Sequence, residues 1–191
     1  GGNAIFGQMA IIVAHENVHG RGSTGDNAIE KSGWPVITYS TSASVHFNGE
    51  EIKLMHYSRG HTDGDGIVYF TGSNVVHMGD TFFNGRFPYV DLDSNGNVAG
   101  LINIISHVLT EIPPDITIIP GHGAIATKSD LQAYFSMLME TTDLVRRHIA
   151  DGKTLGQIKA AGFPEKFKAM GEGFVTEESW IETIYNSYSA E

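Results

Sequence analysis

The 191-residue sequence contains no cysteine, which excludes disulfide bonds, thiolate metal ligands and a cysteine nucleophile. It also has no hydrophobic run approaching the roughly 18 residues that a membrane-spanning helix needs. Basic residues are few, 12 Lys and Arg against 22 Asp and Glu, and no basic run is present to neutralise phosphates. We therefore expect neither nucleic acid nor a membrane as a partner.

The bulk composition is that of a soluble globular protein. Its length and 41% hydrophobic content predict one domain, residues 1–191, with a substantial core. The chain opens with "GGNAIFGQ", which contains neither an initiator methionine nor a signal peptide. This opening resembles the middle of a domain, so we expect an N-terminally truncated one.

Strand-like patterns dominate the first half of the sequence. The apolar run at 9–15 predicts a short buried strand that follows the end of a helix. Residues 36–79 alternate between apolar and polar positions and predict an antiparallel meander. Within it, Asn48-Gly49 separates two strand-like runs, which is the strongest short hairpin signal.

Helical spacing dominates after residue 97. An apolar helical face ends at Pro113, and the run "ITIIP" predicts one more buried strand. Thr127 and Asp130 form a capping box in front of a long helix, and shorter helices follow beyond residue 154. Strands first and helices after favour an α+β fold of the layered α/β kind, with a sheet covered by helices.

Three polar side chains share one local pattern, a metal-capable group framed by glycine at the end of an apolar strand. His61 precedes "GIVYF", Asp80 follows "NVVHMG", and His122 follows "ITIIPG". Strand ends can converge in space, and glycines let the backbone crowd around an ion. Imidazole and carboxylate are ordinary zinc ligands, and a bound metal would activate water at neutral pH. The pattern predicts a shared metal site.

Each of these residues also has a plain structural interpretation. A histidine at a strand end is often only hydrogen-bonded, Asp80 could be a solvated turn residue, and Asp63 and Asp65 could be turn formers. For Asp63 we expect a supporting role rather than a bond to the ion, with its carboxylate accepting backbone amides and stiffening the His61 loop. His15 and His19, spaced i and i+4, are a weaker alternative ligand pair.

The aromatic segment "FFNGRFPYVD" at 82–91 is unusual for a loop. Core packing explains it in one interpretation. In the other, it forms a hydrophobic wall beside the metal site, with Phe82, Phe83 and Arg86 as the candidate substrate-wall residues.

The stretches "GHTDGDGIVYF", "NVVHMGDTFFNGRFPYVD" and "IIPGHGA", in this order, resemble the metallo-β-lactamase superfamily, nearest to its periplasmic or secreted metallo-hydrolases. The resemblance covers most of the chain. It implies an αββα sandwich with one or two zinc ions at the strand ends. By position, His61 matches a first-site histidine, Asp80 the residue that bridges both ions in the glyoxalase-like branch, and His122 the second-site histidine.

The family's defining motif, His-x-His-x-Asp-His, is absent from this sequence. Relatives commonly continue from it with a Thr-Gly-Gly-Asn-like stretch, and this chain opens at "GGNA". The resemblance therefore implies the C-terminal portion of the sandwich, cut just after the main metal motif. We expect any bound ion to be incompletely ligated, and the chain to self-associate, as a homo-oligomer, through the face left by the missing half.

The resemblance also bears on chemistry. It implies that the intact parent is a zinc-dependent hydrolase of a small-molecule substrate, in which metal-bound hydroxide attacks an ester, lactone, thioester or amide carbonyl. This chain alone is expected to be inactive or weakly active. Many true β-lactamases have a substrate-binding lysine where this chain has Phe83, which disfavours penicillin-type substrates unless Arg86 or Lys128 substitutes. Aspartate rather than cysteine at position 80 favours a glyoxalase-like thioesterase. The alternative is a catalytically incomplete scaffold or split fragment that needs association for stability or activity.

Overall fold

The computed structural model describes residues 2–25 and 28–189. This described part has a mixed α+β architecture, as the sequence predicted. Its strands are β1 Val13–His15, β2 Ile37–Tyr39, β3 Ser42–Phe47, β4 Glu50–Met55, β5 Ile67–Phe70, β6 Val75–Phe83 and β7 Thr117–His122. Its α-helices are α1 Asn3–Phe6, α2 Glu16–Ser23, α3 Val98–Glu111, α4 Lys128–Ala150, α5 Leu155–Ala161 and α6 Glu177–Ser189. Short 3₁₀ helices span Lys31–Gly33, Leu92–Ser94 and Glu165–Glu172.

The main sheet has five strands in the order β3-β4-β5-β6-β7. Its first four strands form the antiparallel meander that the alternating pattern predicted, and β7 joins β6 in parallel after the crossover through α3. The predicted hairpin turn is confirmed, since Asn48 and Gly49 both have positive φ, 51° and 82°, between the paired ends of β3 and β4. Two positive φ values are the mark of a tight hairpin turn that follows the twist of the strands.

The meander is shorter than the sequence predicted. Residues 37–39, expected to be its first strand, instead pair in parallel with β1 and form a separate two-stranded sheet. A period-2 pattern is the same in parallel and antiparallel strands, so it does not identify the partner.

Helices α3, α4 and α6 pack together, and α3 and α4 also pack against β6 of the main sheet. Their contact is built from large apolar side chains that are almost fully buried, among them Leu101, Ile105, Leu138, Trp180 and Ile184. The central strands contribute Val76, Met78 and Ile118 to the same core. The predicted Thr127–Asp130 capping box opens α4. Within the described residues, no helix is both long enough and apolar enough to cross a membrane.

Candidate metal centre and substrate pocket

Asp80 lies inside β6, not beyond its end as the sequence pattern indicated. The strand runs on to Phe83, and its pairing with β7 shifts register on both sides of Gly79. Gly79 has φ 51°, a left-handed conformation that glycine adopts at little cost. This irregularity leaves the Asp80 side chain beside the end of β7, where an irregular strand often redirects a functional group.

The loop that carries His61 is fixed by hydrogen bonds at two adjacent carbonyls. The backbone N–H of Asp91 donates to the His61 carbonyl at 2.9 Å, and that of Asn97 donates to the Gly60 carbonyl at 2.9 Å. Inside the loop, one carboxylate oxygen of Asp65 accepts from the backbone N–H and the hydroxyl of Thr62, at 2.9 and 2.7 Å. The loop therefore presents His61 from a defined backbone position.

The His61 ring is oriented by its second nitrogen. Nδ1 lies 2.8 Å from the carbonyl oxygen of Tyr89. Because a carbonyl only accepts, Nδ1 carries the proton and donates it, which leaves the lone pair of Nε2 in the neutral ring free. That Nε2 lies 3.6 Å from Oδ2 of Asp80. A ring held by a backbone carbonyl in this way is typical of metal-binding histidines.

His122 approaches the same carboxylate from the other side. Its Nε2 lies 3.5 Å from Oδ1 of Asp80. Its ring stacks on that of Phe83, with centroids 4.6 Å apart, and its carbonyl accepts from the backbone N–H of Asn84 at 2.9 Å. The structure thus brings together the three residues that the sequence proposed as ligands, with one oxygen of Asp80 toward each imidazole.

The support expected of Asp63 is provided by a different set of contacts. The Asp63 carboxylate pairs with the guanidinium of Arg21 and accepts from the side-chain amide of Asn95 at 3.0 Å, rather than from backbone amides. These contacts connect the His61 loop to α2 and to the loop after Leu92–Ser94. In this loop it is the Asp65 carboxylate that accepts a backbone N–H, that of Thr62. Burial raises the pKa of the Asp65 carboxyl above its ordinary value. Its other oxygen, Oδ2, is buried without a hydrogen-bond partner among the described residues.

A pocket of about 190 Å³ opens beside this centre. Its lining consists of His61, Asp80, Phe83, Arg86, Phe87, Tyr89, His122, Phe174 and Val175.

Of the proposed wall residues, Phe83 and Arg86 lie in this lining. Phe82 does not, because alternation along β6 points it into the core, where its ring packs on Tyr134 at 5.0 Å. Tyr89 belongs to the aromatic segment that the sequence singled out, whereas Phe174 was missed. Its only local signal is an aromatic residue in the glycine-containing stretch "GEGF".

Lys128, the alternative substrate-binding residue, and the alternative ligand pair of His15 and His19 make other contacts in the structure. Lys128 donates from Nζ to the carbonyl of Ile112 at 2.6 Å, so Arg86 is the basic residue that lines the pocket. His15 is buried, stacks on His56 at 4.0 Å and accepts from the backbone N–H of Asn17 at the start of α2. His19 packs edge-on against Trp34.

Comparison with known proteins decides the family. The family model described as the metallo-beta-lactamase superfamily matches residues 6–132, about two thirds of the chain. The chain belongs to the metallo-beta-lactamase superfamily. The matched range includes His61, Asp80 and His122, so the candidate metal centre lies in the part of the chain that the family model covers.

Solved structures agree on the fold. A metallo-beta-lactamase from Pontibacter korlensis superposes with a TM-score of 0.60 and 17% identity, over 71% of this chain and 61% of the other. A stereoselective inverting sec-alkylsulfatase from Pseudomonas sp. gives 0.63 and 14%, over 80% of this chain and 26% of the other. An uncharacterized protein of Aquifex aeolicus (strain VF5) is 33% identical over 88 residues, which is 46% of this chain and 41% of that protein.

The chain spans less than two thirds of each of these relatives. At such low identities the structural likeness concerns the fold, and it confirms the predicted metallo-β-lactamase-like α+β architecture.

The residues present fit zinc in type and fall short in number. Imidazole nitrogen and carboxylate oxygen are zinc donors, and each imidazole has one Asp80 oxygen beside it. Across 2–25 and 28–189, however, no three His, Asp or Glu side chains form a group that could hold an ion by themselves. Catalytic zinc sites have three protein ligands. Here each candidate ion position has two protein ligands, one imidazole and the Asp80 carboxylate.

Proposed function

We propose that this chain supplies His61, Asp80 and His122 to a zinc centre that hydrolyses a small-molecule carbonyl substrate. The observation that carries the proposal is the Asp80 carboxylate between two imidazoles, with Oδ2 3.6 Å from Nε2 of His61 and Oδ1 3.5 Å from Nε2 of His122. In the neutral tautomer of His61, Nε2 is an acceptor, and so is the carboxylate. Two acceptors at this separation repel each other unless a proton or a cation lies between them.

The arrangement favours two ions that share one carboxylate. His61 and Asp80 would hold one ion, and His122 and Asp80 would hold the other. Water or donors from outside the described residues would fill the open positions. Zinc bound here would lower the pKa of a coordinated water to about 7 and polarise a substrate carbonyl.

The protein's own groups would bind and orient the substrate. Phe83 and Phe87 give the pocket an apolar wall that excludes water, and Arg86 brings a guanidinium for an acidic substituent. Two of the solved neighbours, a metallo-beta-lactamase and an alkylsulfatase, are hydrolases by name, which supports hydrolysis as the reaction class. The candidate substrates are esters, lactones, thioesters and amides, and aspartate at position 80 favours a thioester substrate.

Zinc content and turnover together test the proposal. The purified chain would be assayed with added zinc on a matched thioester, lactone and β-lactam, beside Asp80→Ala and the remote variant His46→Ala. We expect bound zinc and weak thioester turnover in the wild type and in His46→Ala, and loss of both in Asp80→Ala. Turnover unchanged in Asp80→Ala would refute the proposal.

A second candidate function, an incomplete scaffold that must associate, is favoured by the N-terminal surface. Large apolar side chains are exposed there in unusual number: Ile5, Phe6, Met9, Ile11, Ile29, Val36 and Ile37. Ile37 lies in β2, and the others lie before β1 or between β1 and β2 along the chain. Parallel sheets such as β1-β2 are normally covered on both faces. At about 25 cal/mol per Å², covering a few hundred Å² of this surface would stabilise the protein by roughly 10 kcal/mol.

Sedimentation velocity at micromolar concentration distinguishes an associated chain from a monomeric one. We expect the wild-type chain to sediment as a dimer or larger species, and a Phe6→Ser, Val36→Ser double variant to shift toward the monomer. A wild-type monomer of 20.7 kDa that melts cooperatively would contradict the association.

A further inference from the structure

The outer wall of the pocket comes from a segment beyond the family match, which ends at residue 132. Phe174 lies in the short link between the 3₁₀ helix Glu165–Glu172 and α6. Its side chain lines the pocket, yet 87% of its surface is exposed. Scattered single apolar residues on a surface are common, but this one faces the apolar pocket beside Asp80.

The position of Phe174 is held from both sides. The backbone N–H of Phe87 donates to the Met170 carbonyl at 3.3 Å, which attaches the preceding 3₁₀ helix to the pocket. After Phe174, the buried Val175 enters the core, and the Thr176 carbonyl accepts from the backbone N–H of Trp180 at 2.9 Å as α6 begins. The ring is therefore exposed at a fixed place on the pocket rim.

Aromatic rings flank the Asp80 carboxylate on two sides. On one side the Phe174 ring meets that of Tyr89 edge to face, with centroids 6.0 Å apart at 70°. Tyr89 in turn lies 5.8 Å from the His61 ring. On the other side Phe83 stacks on His122 at 4.6 Å. A flat group that enters between these surfaces can take the offset or edge-to-face arrangement that aromatic pairs prefer.

We infer that Phe174 and Tyr89 form a specificity subsite for an aromatic acyl group, so that the substrate class is aryl-substituted carbonyl compounds. This inference rests on the proposed hydrolysis for the reaction and on the pocket for the ligand. An aromatic substituent would cover the wet face of Phe174 and add a ring contact with Tyr89. A short or purely aliphatic acyl group would leave that ring contact unmade.

Binding is measured apart from turnover with three acids of equal charge: phenylacetate, cyclohexylacetate and acetate. Their common carboxylate keeps any contact with Arg86 constant, so the series isolates the ring. The proteins are the wild type, Phe174→Ala and Phe47→Ala. Phe47 is the matched control, an aromatic residue 62% exposed at the end of β3 and absent from the pocket lining. Dissociation constants come from ligand-observed NMR titration.

We expect phenylacetate to bind about tenfold tighter than acetate and about threefold tighter than cyclohexylacetate. Phe174→Ala should weaken phenylacetate about fivefold and leave acetate unchanged, and Phe47→Ala should match the wild type. Equal binding of the three acids, or a Phe174→Ala variant that binds as Phe47→Ala does, overturns the subsite.

Turnover separates this inference from the proposed function. Ring-selective binding that depends on Phe174, without hydrolysis of any ester, thioester or lactone, supports the subsite and refutes the hydrolase. Hydrolysis with the same kcat/KM for acetyl and phenylacetyl thioesters, in both the wild type and Phe174→Ala, refutes the subsite and supports the hydrolase. Absence of both binding and turnover refutes both.

Discussion

The substitution Gly121→Ala should disturb both the proposed metal centre and the sheet. Gly121 lies on β7, directly beside the irregular part of β6. A Cβ at this position would overlap Oδ1 of Asp80 and would lie 2.6 Å from both the carbonyl carbon and the carbonyl oxygen of Gly79. The carboxylate can rotate away, but the Gly79 carbonyl is backbone, so β6 and β7 must separate locally.

Overpacking of this kind typically costs about 1–3 kcal/mol, and displaced backbone places Gly121→Ala near the upper end. For a chain of this length, 3 kcal/mol lowers Tm by about 6–12 °C. The assay is urea and thermal unfolding followed by circular dichroism, with bound zinc measured on the same samples. We expect the loss of stability to be accompanied by a loss of zinc.

Gly156→Ala is the matched control, because no described heavy atom lies within 4 Å of the position where its Cβ would be, on α5. Alanine in a helix should leave stability unchanged or raise it by up to about 1 kcal/mol. If Gly121→Ala unfolded at the same urea concentration as the wild type and retained its zinc, the argument that this glycine makes room for Asp80 would be wrong.

Three further predictions concern the surroundings of the site. Asp65→Asn keeps an acceptor for Thr62 and removes a buried charge, so the free energy of unfolding at pH 7 should stay the same or rise. Asp65→Ala removes the acceptor and should lower the free energy of unfolding in urea by about 1–3 kcal/mol. Equal stabilities of the two variants would contradict this. Burial, and then the facing His56, lower the pKa of His15 in the folded chain. The unfolded chain therefore binds the proton more readily, and stability that is complete above the unfolded pKa of about 6.5 should fall as the pH drops below it. His15→Asn, which retains a helix-capping acceptor, should flatten the dependence of Tm on pH, and an unchanged slope would count against His15. Asp63→Asn weakens the link to Arg21 and should lower turnover while zinc content holds; complete loss of zinc would make Asp63 a ligand.

Local patterns in the sequence were sufficient to propose the three residues at the centre. His61, Asp80 and His122 are each framed by glycine beside an apolar run, and both features can be read without knowledge of distant contacts. The Asn48-Gly49 turn was predictable for the same reason, because few residues other than these adopt positive φ readily.

What the sequence missed depends on contacts between distant segments. Gly79-Asp80 resembles a turn, and only the pairing with β7 shows that β6 continues through it. Asp63 and Asp65 lie in one Asp-Gly turn, and the sequence does not show which carboxylate supports the loop from within. In the structure Asp63 pairs with Arg21 on α2, whereas Asp65 accepts the backbone N–H of Thr62. Phe174 reaches the pocket from a segment far along the chain, so no local pattern could connect it with His61.

The proposed zinc centre is tested most directly by a calorimetric zinc titration of this chain, in the wild type and in variants of His61, Asp80 and His122. We expect Asp80→Ala to remove zinc binding at both positions, because the Asp80 carboxylate faces both imidazoles. His61→Ala and His122→Ala should each remove one position, and His46→Ala should behave as the wild type. Wild-type affinity and stoichiometry in Asp80→Ala would contradict the claim that this carboxylate is the centre of the site.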